Sequence, residues 1–155
     1  MMRKKIKRIT VTIALIGAFF IFGAGIKKAE AAYIDDAALS AVISGFYQGY
    51  GEYYCALAFY YSDYSYYYDA FVYFDNATVQ AYNAALYASY SSVYYAYDAY
   101  VAALDAYDYL AASTAYAYDA WYNYDPPDSG NLAVYNGGLA AQSLAYAQYY
   151  AAYLY

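Results

Sequence analysis

Tyr97, Tyr100, Tyr107, Tyr118 and Trp121 put aromatic rings at intervals of three, seven and eleven residues along one stretch of chain, with Asp98, Asp105 and Asp119 running beside them. A phenol carries a hydroxyl that donates and accepts hydrogen bonds on a broad apolar ring, so it stacks on other rings and on sugars. Given an external peroxidative oxidant, close phenols also couple covalently through radicals to dityrosine. Sequence neighbours such as Tyr53/Tyr54, Tyr66/Tyr67, Tyr94/Tyr95 and Tyr149/Tyr150 are candidates for that coupling. A carboxylate is a hard-cation ligand. The spacing therefore points to association through rings and, secondarily, to cation binding.

The remaining inventory narrows the chemistry. The chain has no histidine, and its seven basic residues, Arg3, Lys4, Lys5, Lys7, Arg8, Lys27 and Lys28, all precede position 29. All 31 tyrosines lie at or after Tyr33. The acidic part thus lacks the usual general base, the Schiff-base amine and the cationic oxyanion clamp, and no enzyme activity and no catalytic residue is expected. Without Lys or Arg it has nothing to displace counterions from a phosphate backbone or to meet an anionic headgroup. Nucleic acid and anionic membrane surfaces are excluded as partners. Self-association, neutral glycans and cations remain.

Calcium is the one cofactor candidate. Asp125, Asp128 and Asn131 fall on the Pro/Gly-containing segment 124–131, which reads as a turn offering three oxygen ligands, with an ordinary solvated turn as the rival reading. Cys55 is the only cysteine and sits in an apolar run, which favours a buried, inert thiol over an intermolecular disulfide.

The first 31 residues read as a signal peptide. A basic start, an apolar run and small residues at Ala29 and Ala31 predict cleavage after Ala31. The rival is an uncleaved anchor over residues 9–26, near the lower length limit for a membrane span. Residues 32–155 then form a single acidic domain. It keeps 12 of the 13 acidic residues (Glu30 is lost) and no Lys or Arg, a net charge of about −12. The expected location is the cell surface or the extracellular medium.

The elements that must position these rings are helical. Leu39, Val42, Ile43, Phe46 and Tyr50 share one helical face, with Asp35 and Asp36 at its start and Gly49 and Gly51 as its end. Residues 52–74 suit a helix better than a strand, and Asp75-Asn76 reads as a break with Asn76 as the next N-cap, its Asn-Ala-Thr glycosylation match being coincidental. No Gly or Pro interrupts residues 76–124, so one long Ala/Tyr-rich helix is predicted there, kinked near 89–93. In sevens it shows mostly aromatic rows (Tyr97, Leu104, Ala111, Tyr118; Tyr100, Tyr107, Thr114, Trp121) and a small row (Ala99, Ala106, Ser113, Ala120) that would let a neighbouring helix approach closely. A last helix follows the turn, with Gly137-Gly138 a weak point near its start.

The expected fold is all-α, an elongated helical bundle or hairpin of about four helices. The alternative is a low-complexity chain, partly disordered or β-assembling. In composition the chain resembles tyrosine-rich structural proteins of extracellular coats and matrices, a likeness that no motif carries. The expected function is a secreted structural or self-assembling protein of a cell surface or matrix, using tyrosine-mediated association. The alternative is a secreted, non-catalytic binding module for glycans or divalent cations. A third reading is a precursor whose tyrosines a partner enzyme modifies.

Overall fold

A computed structural model describes residues 29–123 and 126–152. Four helices make up nearly all of it: α1 (Ala29–Tyr61), α2 (Ser65–Tyr90), α3 (Ala96–Tyr122) and α4 (Pro126–Ala152), with no strand among the described residues. Each helix packs against its two neighbours in a ring, α1 on α2, α2 on α3, α3 on α4 and α4 on α1, while the diagonal pairs barely meet. Links of three to five residues between helices of 26 to 33 residues force each to run antiparallel to the one before it. The described residues form an all-α four-helix bundle. The predicted signal peptide and the rival anchor over 9–26 lie outside the described residues. No helix among the described residues is long and apolar enough to cross a membrane.

Every helix buries one seam with alternating steps of three and four residues. In α1 it is Ile34, Ala37, Ala41, Ser44, Gln48, Gly51, Cys55 and Ala58. In α2 it is Tyr67, Ala70, Phe74, Ala77, Ala81, Ala84 and Ala88, and in α3 Ala96, Ala99, Ala103, Ala106, Leu110, Ser113, Ala117 and Ala120. In α4 it is Gly130, Ala133, Gly137, Ala140, Leu144, Ala147 and Ala151. This is a heptad seam of the kind that packs knobs into holes, built from small residues. Alanine favours the helix intrinsically, and a row of methyl groups lets two backbones come close. Each buried methyl contributes only ~0.8 kcal/mol against ~2 kcal/mol for a leucine, so the rings beside the seam must supply much of the apolar burial.

Two rings enter the seam itself. Phe74 is fully buried and Tyr67 nearly so. A methyl on Gly51 would stand 2.8 Å from the Phe74 ring, and one on Gly137 would stand 3.2 Å from it. A methyl on Gly130 would lie 2.7 Å from Cζ of Tyr67. Gly51, Gly130 and Gly137 are therefore sockets for the rings of α2.

Those sockets account for several differences from the expected elements. Gly49 and Gly51 do not end α1, which runs on to Tyr61; both are buried, and Gly51 is held by packing against Phe74. Gly137 lies inside α4 for the same reason, and the helix runs on through Gly138, which is exposed. Asp75-Asn76 is no break: α2 continues through it, and the Asn76 amide donates to the carbonyl of Val72 one turn back. The long helix expected over 76–124 is two helices. Ser91 adopts an extended backbone (φ −90°, ψ 136°), and the chain turns over Ser91–Tyr95 before α3 starts. The expected turn over 124–131 is shorter, since α4 begins at Pro126, where a missing backbone N–H costs nothing.

The α1–α2 link is a Schellman turn. Ser62 takes φ 54°, and the Asp63 N–H donates to the carbonyl of Ala58 at 3.2 Å. Asp63 Oδ1 then accepts from the Ser65 N–H (3.0 Å) and hydroxyl (2.7 Å), capping α2. At the α3–α4 link Asp119 takes hydrogen bonds from the Ser129 hydroxyl (2.5 Å) and the Asn123 amide, tying the start of α4 to the end of α3. Those two bonds, Ser129 first, hold the Asp119 carboxyl below its ordinary range.

Candidate functional site

With small residues filling the seams, the tyrosines fall on the flanks. Tyr100, Tyr107 and Trp121 lean half-buried on the edge of the core, Tyr118 is exposed, and Tyr97 stands 72 % exposed. The rows read as the aromatic stripe of α3 therefore flank its contact seam; the small row through Ala99, Ala106, Ser113 and Ala120 lies within it.

The five residues of that stripe do not form one surface. Trp121 packs on Tyr68 of α2 (centroids 4.9 Å) and Tyr118 on Phe71 (5.5 Å). Tyr122 stacks on Tyr118 at 5.6 Å with planes 9° apart, completing a five-ring cluster across α2 and α3. Midway, Tyr107 meets Tyr82 (5.9 Å), and a Thr78–Thr114 hydroxyl contact at 3.3 Å separates the two ring groups. Tyr97 and Tyr100 pair with each other at the far end of α3 (6.3 Å).

A second cluster, across α1 and α2, was not singled out from the sequence. Tyr73 stands against Tyr47 (6.3 Å), Tyr50 (5.2 Å) and Tyr54 (5.2 Å). Tyr54 continues to Tyr66 (6.3 Å), and Tyr66 to Tyr61 (6.1 Å). The signal was present: Tyr47, Tyr50, Tyr54 and Tyr61 repeat at three, four and seven, and Tyr66 and Tyr73 at seven. It becomes readable once α1 is allowed to run through Gly49 and Gly51. A third group joins Tyr94 and Tyr95 to Tyr150 of α4 (Tyr95–Tyr150, 6.1 Å), with Tyr146 and Tyr149 alongside.

Of the calcium candidates, Asp125 lies outside the described residues. Asp128 and Asn131 are exposed on the first turns of α4, so from Pro126 onward the segment is helix and not the loop that was expected to wrap a cation. No group of three or more acidic or thiol side chains gathers among the described residues. Cys55 is buried, and burial, with Glu52 nearby, pushes its thiol far up, which leaves it without thiolate character.

One carboxyl stands apart from the exposed aspartates. Glu52 is half-buried between α1 and α4, with its Oε1 accepting from the Gln48 amide at 2.5 Å and a methyl on Gly137 only 3.0 Å away. Desolvation raises its pKa from 4.5 to about 7, against the lowering effect of the Gln48 bond.

No protein-family model, curated protein or solved structure matches this chain.

Proposed function

We propose that the protein is a secreted structural component of a cell surface or extracellular matrix that assembles with copies of itself through its tyrosine faces. The observation that carries this reading is the partition of side chains. The core takes methyl groups, and rings such as Tyr50, Tyr53, Tyr97, Tyr118, Tyr122, Tyr135 and Tyr146 remain exposed. Exposed apolar surface on this scale marks association. Secretion rests on the leader-like first 31 residues, and the absence of Lys and Arg beyond Lys28 leaves no trypsin site in the rest of the chain, which suits an extracellular location.

The partner most consistent with the charge is a copy whose carboxylates are screened. With about −12 on each chain, assembly is expected to strengthen when acid, salt or divalent cations damp the repulsion. Sedimentation of the protein purified from its producing cells tests this. Mass should rise with concentration, and more steeply at pH 4 or with calcium than at pH 8 in low salt. A monomer at every concentration and condition would remove the proposal, and a glycan titration would then decide whether the rings bind sugars instead.

A further inference from the structure

The α1–α2 tyrosine cluster differs from the other ring groups in one pair. Tyr54 and Tyr73 come from different helices, and their rings stack at 5.2 Å with planes 11° apart, closer to parallel than the Tyr50–Tyr73 pair at the same distance, whose planes are 28° apart. Nearly parallel stacking at this distance lets the ring carbons ortho to the two hydroxyls approach each other. Those carbons carry the unpaired spin of a phenoxyl radical. Pairs adjacent in sequence lack this geometry: Tyr53/Tyr54, Tyr60/Tyr61, Tyr94/Tyr95 and Tyr149/Tyr150 meet edge-on, with planes 74° to 89° apart. Tyr118 and Tyr122 are nearly parallel, but Trp121 lies against both and offers the radical another resting place.

We infer that Tyr54 and Tyr73 are an oxidative cross-linking site, at which hydrogen peroxide and an external haem peroxidase join α1 to α2 through a dityrosine bond. Each phenol gives up one electron and its hydroxyl proton to the oxidant. The two phenoxyl radicals form a carbon–carbon bond between ortho positions. Each of these carbons then releases its hydrogen as a proton, and each phenoxyl oxygen regains one. Two phenols and one hydrogen peroxide yield one biphenol and two waters.

Several features favour the site. Tyr50 and Tyr53 are exposed, and both touch the pair, Tyr50 at Tyr73 and Tyr53 at Tyr54, so an electron removed at the surface can be replaced from the inner rings. Burial, then Tyr73 and Asp69, hold the Tyr54 phenol above its ordinary value, and Asp69 is a nearby carboxylate for a departing proton. The buried Cys55 keeps its proton and is a poor competitor for the oxidant. The bond would close a loop from residue 54 to residue 73 around the Schellman turn and remove open conformations from the unfolded chain. This inference does not rest on self-assembly, because both rings belong to one chain.

The test is peroxidase treatment of dilute protein from its producing cells, followed by intact mass and peptide mapping. A protease cutting before aspartate releases residues 69–74, in which Tyr73 is the only tyrosine, and residues 36–62, which contain Tyr54. The expected product is a monomer lighter by two hydrogens, with these two peptides joined and fragmentation placing the bond on Tyr54. Tyr73→Phe and Tyr54→Phe should each lose the joined peptide, while Tyr94→Phe keeps it; helical circular dichroism checks that each variant folds. A monomer bond that maps to other tyrosines, dityrosine only between chains, or a joined peptide that survives either variant would overturn the inference. Each result stands whether or not the unoxidised protein assembles.

Discussion

The two halves of α2 fill the same bundle in opposite ways. In the first half, Tyr67 and Phe74 project large rings into sockets made by Gly51, Gly130 and Gly137. In the second half, Ala77, Ala81, Ala84, Ala85 and Ala88 present methyls alone to the neighbouring helices. A ring in a glycine socket gains shape specificity and loses volume tolerance, since nothing nearby can move to replace it. A methyl seam is uniform, and its specificity must come from the flanking rings and from buried polar contacts such as the Ser44 hydroxyl donating to the Ala77 carbonyl at 2.7 Å. The aromatic half should therefore dominate the bundle's stability and the alanine half its close helix spacing.

The most direct way to break this contrast is Phe74→Ala. It removes a fully buried ring and leaves a cavity that the facing glycines cannot fill, and the expected loss is about 3–5 kcal/mol in chemical denaturation. A loss near that of Ala84→Gly, about 1–2 kcal/mol from helix propensity and one missing methyl, would show that the halves are equivalent after all.

Glu52 lies at the same sockets and adds a pH dependence to the aromatic half. Folded, it holds its proton up to about pH 7; unfolded, it releases it near 4.5. Below pH 4.5 both states are protonated and its burial exacts no ionisation cost. Between the two values the folded state binds more protons, so stability falls as pH rises. Above about pH 7 the whole cost remains, roughly 3 kcal/mol at most. The groups near it, Gln48, Gly137 and Cys55, include no cation that would offset it, and no Lys or Arg lies beyond Lys28. Glu52→Gln should raise the denaturation midpoint at pH 8 and leave it nearly unchanged at pH 4. Repulsion among the exposed aspartates follows the same trend with pH, and the variant separates the two contributions because it keeps every aspartate.

Gly51→Ala sharpens the contrast from the socket side. On an exposed helix the change gains about 1 kcal/mol of propensity. Here the new methyl meets the Phe74 ring at 2.8 Å, a fully buried ring that Gly137 also approaches, and the expected result is a net loss of roughly 1–3 kcal/mol. A thermal melt that rises on this substitution would mean that Phe74 has room to shift.

What the sequence made readable follows the same division. Helix, bundle and a small row allowing close approach could be taken from alanine content and heptad spacing, because these depend on local propensity and period. The glycines misled: Gly49, Gly51 and Gly137-Gly138 carry the ordinary marks of helix ends, and only the ring of Phe74 arriving from another helix explains the placement of Gly51 and Gly137. The break at Ser91 falls within the kink expected near 89–93, but with no Gly or Pro in residues 76–124 nothing marked it as a full turn between two helices. The α3 stripe was visible, but its division among Tyr68, Tyr82 and Phe71 depends on the register of α2, which no spacing within α3 specifies. The Tyr54–Tyr73 contact lies across a hairpin whose turn had not been located.

The turns that close the two halves of α2 extend the contrast to the backbone, with the smallest expected effect. The aromatic half is entered through Ser62 at φ 54°, a left-handed conformation that an L side chain reaches at a cost. The alanine half is left through Ser91 in the extended region, where serine is unstrained. Ser62→Gly removes the clash of Cβ at a helix C′ position, where glycine is the favoured residue, and it leaves the Asp63–Ser65 cap intact. The gain is partly offset by the greater freedom of glycine in the unfolded chain, and a net stabilisation of about 0.5–1 kcal/mol is expected. Ser91→Gly has no strain to relieve and also loses the hydroxyl that accepts from the Val93 N–H at 3.4 Å, so it should destabilise by a similar amount. Opposite signs in paired urea titrations are the expected result. Equal signs would mean that the Schellman turn is not what fixes the entry to α2.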